Sequence, residues 1–219
     1  MPQTGGDRIG KTPLQLSVQD LLEALASRHV SAAAGGAAAA VTAAAAAALT
    51  TKVARASLGT WIEAGGAVAQ AEALRAQAQA LVVRDVDVYL DAIRILDRVQ
   101  PTRSARGGPG GPRGRPMPAA EREHAIQEAL ELAAEVPLSI AELASEIAVL
   151  AAEVASVCAP AARPDAVIAA TLAESAATSA GVLVRINRLI AADDPRCRRV
   201  DRAVLAATAA RERSLQTLC

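Results

Sequence analysis

The first candidates for chemistry are four polar residues in one short segment, RDVDVYLDAI. They are Asp85, Asp87, Tyr89 and Asp91. Carboxylates and phenols can transfer protons, and a carboxylate can also stabilise a cationic reacting centre. A cluster of this kind on a single helix is more often a solvated surface. On residue type alone, both interpretations stay open.

A second candidate is the small-residue segment Ala33-Ala34-Gly35-Gly36, which precedes an alanine-rich run. If a helix begins there, its free N–H groups can hold an anion or a carbonyl oxygen. The alternative is an ordinary close packing contact between helices. Farther along the chain, Arg185 and Asn187 interrupt the apolar segment VLVRINRLI. Asn187 is either a buried hydrogen-bonding residue or a ligand contact.

The familiar catalytic and metal-binding patterns are missing from the sequence. There is no GxSxG, Walker, HExxH or dinucleotide-binding motif, and the two histidines, His29 and His124, stand alone. The three cysteines are odd in number and widely spaced, which favours a reducing compartment and no zinc. Residues 1–11 lack the apolar core of a secretory signal. We therefore expect a cytoplasmic protein without a metal.

The composition indicates how these residues must be positioned. Hydrophobic residues make up 52% of the chain but aromatic residues only 1%, with no Phe. The core must then be built from Ala, Val, Leu and Ile, and Ala is the strongest helix former. We predict an all-α fold, an up-and-down bundle of long Ala-rich helices. Because so few side chains are bulky, we also expect a homodimer that covers exposed helix faces.

Charge and hydropathy exclude two classes of partner. Lys plus Arg and Asp plus Glu are equal at 23 each, which argues against a nucleic-acid partner. Residues 30–51 carry no charge, but they are mostly Ala and Gly, so the driving force for membrane insertion is weak. We expect no membrane partner.

Helix periodicity and helix breakers give the domain organisation. The predicted helices span 18–27, 37–58, 68–99, 119–136, 138–158, 165–192 and 196–216. Gly65-Gly66 is expected to interrupt the chain, and Pro137 to kink or break a helix. We predict a flexible N-terminus at 1–16 and one domain at 17–219. Within it, 100–118 is a mobile Gly/Pro/Arg loop, either simply solvated or a lid that contacts anions.

Four segments, in order, resemble the cyclodeaminase/cyclohydrolase family of one-carbon folate metabolism. The opening segment is SVQDLLEALASRHVSAAAGGAAAAV, and the second is RDVDVYLDAI. The third is AIQEALELAAEVPLSIAELA, and the fourth is PDAVIAATLAESAATSAGVLVRIN. Together they span 17–192. The stretches AEVPLSIAELA and DAVIAATLAESA are the most specific parts of the resemblance.

The resemblance implies a helical, commonly dimeric enzyme whose substrate is a reduced folate and which needs no metal or separate cofactor. The reaction would be ring closure with loss of ammonia from formiminotetrahydrofolate, or hydrolysis of the methenyl bridge. Asp165 matches an aspartate of the family and is the first catalytic candidate, followed by Asp85 and Tyr89. The implied substrate-binding residues are Gly35, Gly36, Arg55, Arg185 and Asn187.

Three departures from the family pattern keep other functions open. Ala34 stands where the family has a glycine, Arg55 where it commonly has Asn, and Pro164 where it has Ser. All three fall where ligand contacts are expected. One alternative is therefore a divergent relative that acts on a non-folate substrate in a biosynthetic pathway. The other is a non-catalytic helical binding protein.

Overall fold

The structure is a computed structural model that describes residues 12–27, 35–99, 118–186 and 194–219. These ranges contain six α-helices and no strand, as the predicted all-α class requires. The helices are α1 (Val18–Ala26), α2 (Gly35–Ala56), α3 (Ala64–Val99), α4 (Ala119–Val157), α5 (Arg163–Ile186) and α6 (Pro195–Gln216). Two single-turn 3-10 helices, Pro13–Gln15 and Pro160–Ala162, precede α1 and α5.

Side-chain caps explain where two of the helices begin. The Ser17 hydroxyl accepts a hydrogen bond from the Asp20 backbone N–H at 3.1 Å and so caps the start of α1. At α6 the Asp194 carboxylate accepts from the Arg196 backbone N–H at 2.7 Å. Pro195 follows that cap, where its missing N–H is not needed.

Contacts at the helix ends establish the up-and-down topology. The end of α2 meets the start of α5, where Lys52 Nζ lies 2.6 Å from Asp165 Oδ2. At the opposite end of the bundle, the start of α6 meets α4, and the Arg199 guanidinium donates two 2.8 Å hydrogen bonds to Glu142. Successive long helices therefore run in alternating directions.

The core is built mainly from alanine. Fully buried alanines lie along the packed sides of the helices, among them Ala40 and Ala47 in α2 and Ala170 and Ala177 in α5. Since a methyl group adds little beyond the backbone, such helices approach closely. The largest fully buried side chains, Leu138, Ile140 and Ile147, all lie on α4. Helix α4 is the central element, and it packs against α3, α5 and α6.

The interruption predicted at Gly65-Gly66 is wrong, and so is a break at Pro137, while the alternative of a kink at Pro137 stays a prediction. Helix α4 runs through Pro137 without a break. Proline removes one N–H donor from the helix, but Val136, Pro137 and Leu138 are all buried, and that packing offsets the loss. Gly65 and Gly66 lie inside the first turn of α3 rather than before it.

Among the described residues, two stretches are long and apolar enough to cross a membrane by length and composition, Gly35–Ala56 and Pro160–Ile186. In the bundle, 56% and 50% of their most apolar windows are buried. Packing against neighbouring helices therefore accounts for their hydropathy.

Several predictions fall outside the described residues. They concern the flexible N-terminus before residue 12, the Gly/Pro/Arg loop up to residue 117, and the part of the predicted helix beyond residue 186. His29, Ala34 and Asn187 also lie outside them.

Candidate functional site

The Asp85 side chain of α3 rests on the first turn of α2. Asp85 is only 9% exposed, and its carboxylate accepts a hydrogen bond from the Ala37 backbone N–H. It also lies directly over Gly36, because a Cβ built there would be 2.0 Å from Asp85 Oδ1. A carboxylate at a helix N-terminus interacts favourably with the unpaired N–H groups and the helix dipole.

Burial dominates the electrostatics of this carboxylate. Loss of contact with water raises the pKa of Asp85 above its usual value of 3.8, while the hydrogen bond from Ala37 lowers it by less. No cation contributes to the shift within the described part of the chain. Among the described residues, Asp85 is therefore a buried acid without a counter-charge, and it holds a proton more readily than an exposed aspartate.

A cavity of about 180 Å³ opens beside this carboxylate. Asp85 and Tyr89 are four residues apart on α3, so they share the helix face that borders the cavity. Among the described residues of the wall, Asp85 is the only charged one. The lining consists of Gly35, Gly36, Asp85, Val88, Tyr89, Ala92, Ile93, Ala129, Leu130, Ala133, Val136, Pro137 and Leu183.

The apolar wall comes mostly from α4, and sequence reasoning did not assign it to the site. Ala129 and Ala133 leave space where larger side chains would fill the cavity, and Pro137 borders it. The available signal was the segment AEVPLSIAELA, which carries the resemblance to the family and contains the proline that was predicted to interrupt a helix. An apolar wall strengthens the field of Asp85, because a low dielectric screens a charge poorly.

The two other acidic residues of the RDVDVYLDAI segment do not line the cavity. Asp87 is exposed, and Asp91 pairs with Arg94 on the surface at 2.7 Å. The segment therefore combines both interpretations: Asp85 and Tyr89 border the cavity, and Asp87 and Asp91 form the solvated face.

Asp165, the first catalytic candidate, lies at the other end of the bundle. It is in the first turn of α5 and pairs with Lys52 at 2.6 Å. Lys52 follows Gly36 by sixteen residues in α2, so the two positions are about 24 Å apart along the helix axis. The structure does not bring Asp165 to the cavity and gives it a cation of its own.

The two arginines of the predicted site also have partners elsewhere. Arg55, at the end of α2, pairs with Glu72 of α3. Arg185 pairs with Asp201 of α6. Leu183 lines the cavity, and a residue two positions later points to nearly the opposite side of the helix, so Arg185 faces away from it. Of the predicted site residues, the cavity unites Gly35, Gly36, Asp85 and Tyr89.

A larger groove of about 400 Å³ lies between α3 and α4 on another side of the bundle. Its polar side chains include Gln77, Arg84 and Glu146, which are exposed, and Glu142, which is bound to Arg199. The groove contains no buried ionisable group among the described residues, so the smaller cavity is the better candidate site. Within those same residues, no group of three or more His, Cys, Asp or Glu is arranged to hold a metal ion.

Comparisons with known proteins agree with the fold. The formiminotransferase-cyclodeaminase family model matches residues 17–205. The structure is similar to that of formiminotetrahydrofolate cyclodeaminase from Thermotoga maritima, with a TM-score of 0.72 and 19% sequence identity. The similarity covers 94% of this chain and 96% of the other. No functionally curated protein sequence matches the chain.

Proposed function

The chain belongs to the formiminotransferase-cyclodeaminase family, and we propose that it acts on a tetrahydrofolate carrying a cationic one-carbon unit. The favoured reaction is cyclodeamination of 5-formiminotetrahydrofolate. Hydrolysis of 5,10-methenyltetrahydrofolate is the second reaction that the same site would support. The observation that carries the proposal is a buried carboxylate that borders an apolar cavity and has no counter-ion among the described residues.

The favoured reaction needs a group that moves one proton next to a positive charge. N10 of the folate attacks the carbon of the N5 amidinium, and the proton on N10 must reach the departing nitrogen. Ammonia then leaves, and the positive charge remains on the methenyl bridge. A single carboxylate beside the reacting carbon can accept the first proton and deliver it to the leaving group.

Asp85 has the properties that this role requires. Its carboxylate borders the cavity and can stabilise a cation throughout the reaction, because both substrate and product carry the charge. Burial raises the pKa of Asp85, which makes its carboxylate a stronger base than that of an exposed aspartate. Ala37 holds the carboxylate in place through its backbone N–H.

Tyr89 and the apolar wall would receive the folate ring system. Tyr89 is 39% exposed at the edge of the cavity, where its ring can stack on the substrate and its hydroxyl can donate a hydrogen bond. Val136, Pro137 and Leu183 would exclude water from the opposite side. This proposal needs no metal and no cofactor other than the folate substrate.

We also propose that the protein is a cytoplasmic homodimer. Ile168 and Val182 lie about four turns apart on one side of α5 and are 50% and 46% exposed. The exposed residues between them are Thr171, Ser175, Thr178 and Ser179, so this side of α5 offers a second copy an uncharged surface with an aliphatic side chain near each end. The three cysteines are free, which suits a reducing compartment. Sedimentation tests the dimer, and a lone monomer at micromolar concentration would contradict it.

The size of the cavity favours a second candidate, a smaller non-folate cation. Small-molecule sites usually enclose about 300–1,000 Å³, whereas this cavity encloses about 180 Å³. It would hold one ring system and leave the rest of a folate outside. A compact amidinium or iminium substrate would fill it more completely.

The deciding experiment follows the near-ultraviolet band of the methenyl bridge with purified protein. Growth of the band from 5-formiminotetrahydrofolate, faster than without protein, would establish a cyclodeaminase. Accelerated loss of the band from 5,10-methenyltetrahydrofolate would establish a cyclohydrolase. Neither change, together with no calorimetric binding of either folate, would refute folate chemistry and leave the smaller cation.

A further inference from the structure

The first turn of α2 contains two adjacent glycines in different surroundings. A Cβ built on Gly35 would meet only Leu183, at an ordinary contact distance of 3.6 Å. A Cβ built on Gly36 would lie 2.0, 2.5 and 2.6 Å from Oδ1, Cγ and Oδ2 of Asp85. All three atoms of that carboxylate group are therefore closer than any real Cβ contact allows.

The backbone at Gly36 gives no other reason for a glycine. Its φ lies outside the left-handed region, and the residue is part of a regular α-helix. Alanine favours a helix over glycine by limiting the freedom of the unfolded chain, so glycine is a poor choice there by propensity. What glycine provides at this position is space for the carboxylate.

From this we infer that Gly36 is a positioning residue, which leaves the space in which the Asp85 carboxylate rests on the N-terminus of α2 and influences the reaction only through that carboxylate. The effect on turnover rests on the proposed function, while the effect on the carboxylate does not. In this account Gly36 binds no substrate atom, although the resemblance to the folate family implied that it would.

The chemistry explains why this space matters. A methyl group at position 36 forces the carboxylate to rotate away from the Ala37 N–H. The nearest open volume is the cavity, so the displaced carboxylate would occupy part of the space for the substrate. One added carbon would then remove the acceptor from its donor and obstruct the cavity.

The first test is a double-mutant cycle on stability, with Gly36→Ala in the natural chain and in an Asp85→Ala background. We expect Gly36→Ala to lower the denaturant midpoint when Asp85 is present and to raise it when Asp85 is absent, because the clash disappears and the helix propensity remains. The matched control is Gly66→Ala in the first turn of α3, where an added Cβ meets nothing within 4 Å. This control should behave identically in both backgrounds.

If Gly36→Ala does not fold, the double variant with Asp85→Ala still decides the role of Gly36. Recovery of folding in the double variant with Asp85→Ala would support the inference. A double variant that stays unfolded would overturn it, as would a midpoint shift from Gly36→Ala that does not depend on Asp85.

The second test separates positioning from a merely structural role. In a ¹⁵N-labelled protein, the amide resonance of Ala37 should move with the protonation of Asp85, since the two groups share a hydrogen bond. That movement should persist in Gly66→Ala and vanish in Gly36→Ala. An unchanged titration of the Ala37 amide in Gly36→Ala would overturn the inference.

Both tests work without folate, so they decide the role of Gly36 even if the natural protein turns over no folate. If it does turn over folate, Gly36→Ala should lower turnover to the level of Asp85→Ala, and Gly66→Ala should not. High turnover in Gly36→Ala would show that the reaction does not depend on this placement of the carboxylate.

Discussion

The two ends of α2 each meet an aspartate from another helix, and the two carboxylates differ in what neutralises them. At the C-terminal end, Asp165 has Lys52 at 2.6 Å, and its side chain is 34% exposed. At the N-terminal end, Asp85 is 9% exposed, and its partner among the described residues is a backbone N–H. The first is a surface ion pair, and the second is a buried carboxyl group with no cation beside it in the part of the chain that the structure describes.

This difference gives a criterion for choosing between the two carboxylates as candidates for the site. An ion pair with its own lysine stabilises the charge without any ligand, and solvent screens it further. A buried carboxylate without a cation is costly to ionise, and a cationic ligand can relieve that cost. The resemblance to the family favours Asp165. Asp85 is the better candidate because, among the described residues, no cation already neutralises its carboxylate.

The largest expected effect is on turnover. Asp85→Asn removes the group that we propose moves the proton, and losses of about 10²–10⁴-fold are typical when a general acid or base is lost. Asp165→Asn breaks only a surface ion pair and should leave turnover unchanged. Steady-state kinetics on both variants with 5-formiminotetrahydrofolate measures the contrast. The reverse pattern would return the catalytic role to Asp165.

A smaller effect is expected on the pH dependence of stability, and a third aspartate provides the comparison. Asp194 also lies at a helix start, but hydrogen bonds from the Arg196 guanidinium lower the pKa of Asp194, whereas burial raises the pKa of Asp85. The usual pKa of both groups is 3.8. The two groups should therefore affect stability in opposite directions as pH changes.

The signs follow from which state binds the proton more tightly. Asp85 binds its proton more tightly in the folded state. The natural protein should therefore lose stability relative to Asp85→Asn as pH rises from 3.8 through the raised pKa. Asp194 binds its proton more tightly in the unfolded state, so the natural protein should lose stability relative to Asp194→Asn as pH falls below 3.8. Urea unfolding at a series of pH values measures both. For each variant, the measured quantity is the difference in the free energy of unfolding from the natural protein, followed against pH. If this difference changes in the same direction for Asp85→Asn and Asp194→Asn, the environments assigned to the two aspartates are contradicted.

The smallest expected effect is the coupling between Lys52 and Asp165. Because the two side chains are 69% and 34% exposed, a double-mutant cycle with Lys52→Ala and Asp165→Ala should give a coupling of only about 0.2–1 kcal/mol. Raising the salt concentration should reduce it further. A coupling of several kcal/mol that does not depend on salt would show that this pair is more than a surface contact.

The fold was largely predictable from the sequence, because alanine-rich composition and helix periodicity act locally. The cap at Ser17 and the helical character of every long segment follow from neighbouring residues. The continuity of α4 through Pro137 was not predictable, since it depends on burial against other helices.

The candidate site was predictable only in part. Gly36 and Asp85 were both singled out, but they are far apart in the sequence, and only packing of α2 against α3 brings them together. The pairing of Asp165 with Lys52 is equally non-local, and it gives the candidate that the resemblance favoured a cation away from the cavity. Sequence motifs identify residue types, whereas the counter-charge of each carboxylate is a property of the packed bundle.

The central claim is that Asp85 recognises the positive charge of the one-carbon unit, and matched ligands test it most directly. Calorimetry would compare the binding of 5,10-methenyltetrahydrofolate, which is cationic at the bridge, with that of 5-formyltetrahydrofolate, which is neutral there. We predict that the natural protein prefers the cation and that Asp85→Asn loses this preference while still binding the neutral folate. Equal affinities in the natural protein, or a preference that survives in Asp85→Asn, would contradict the account.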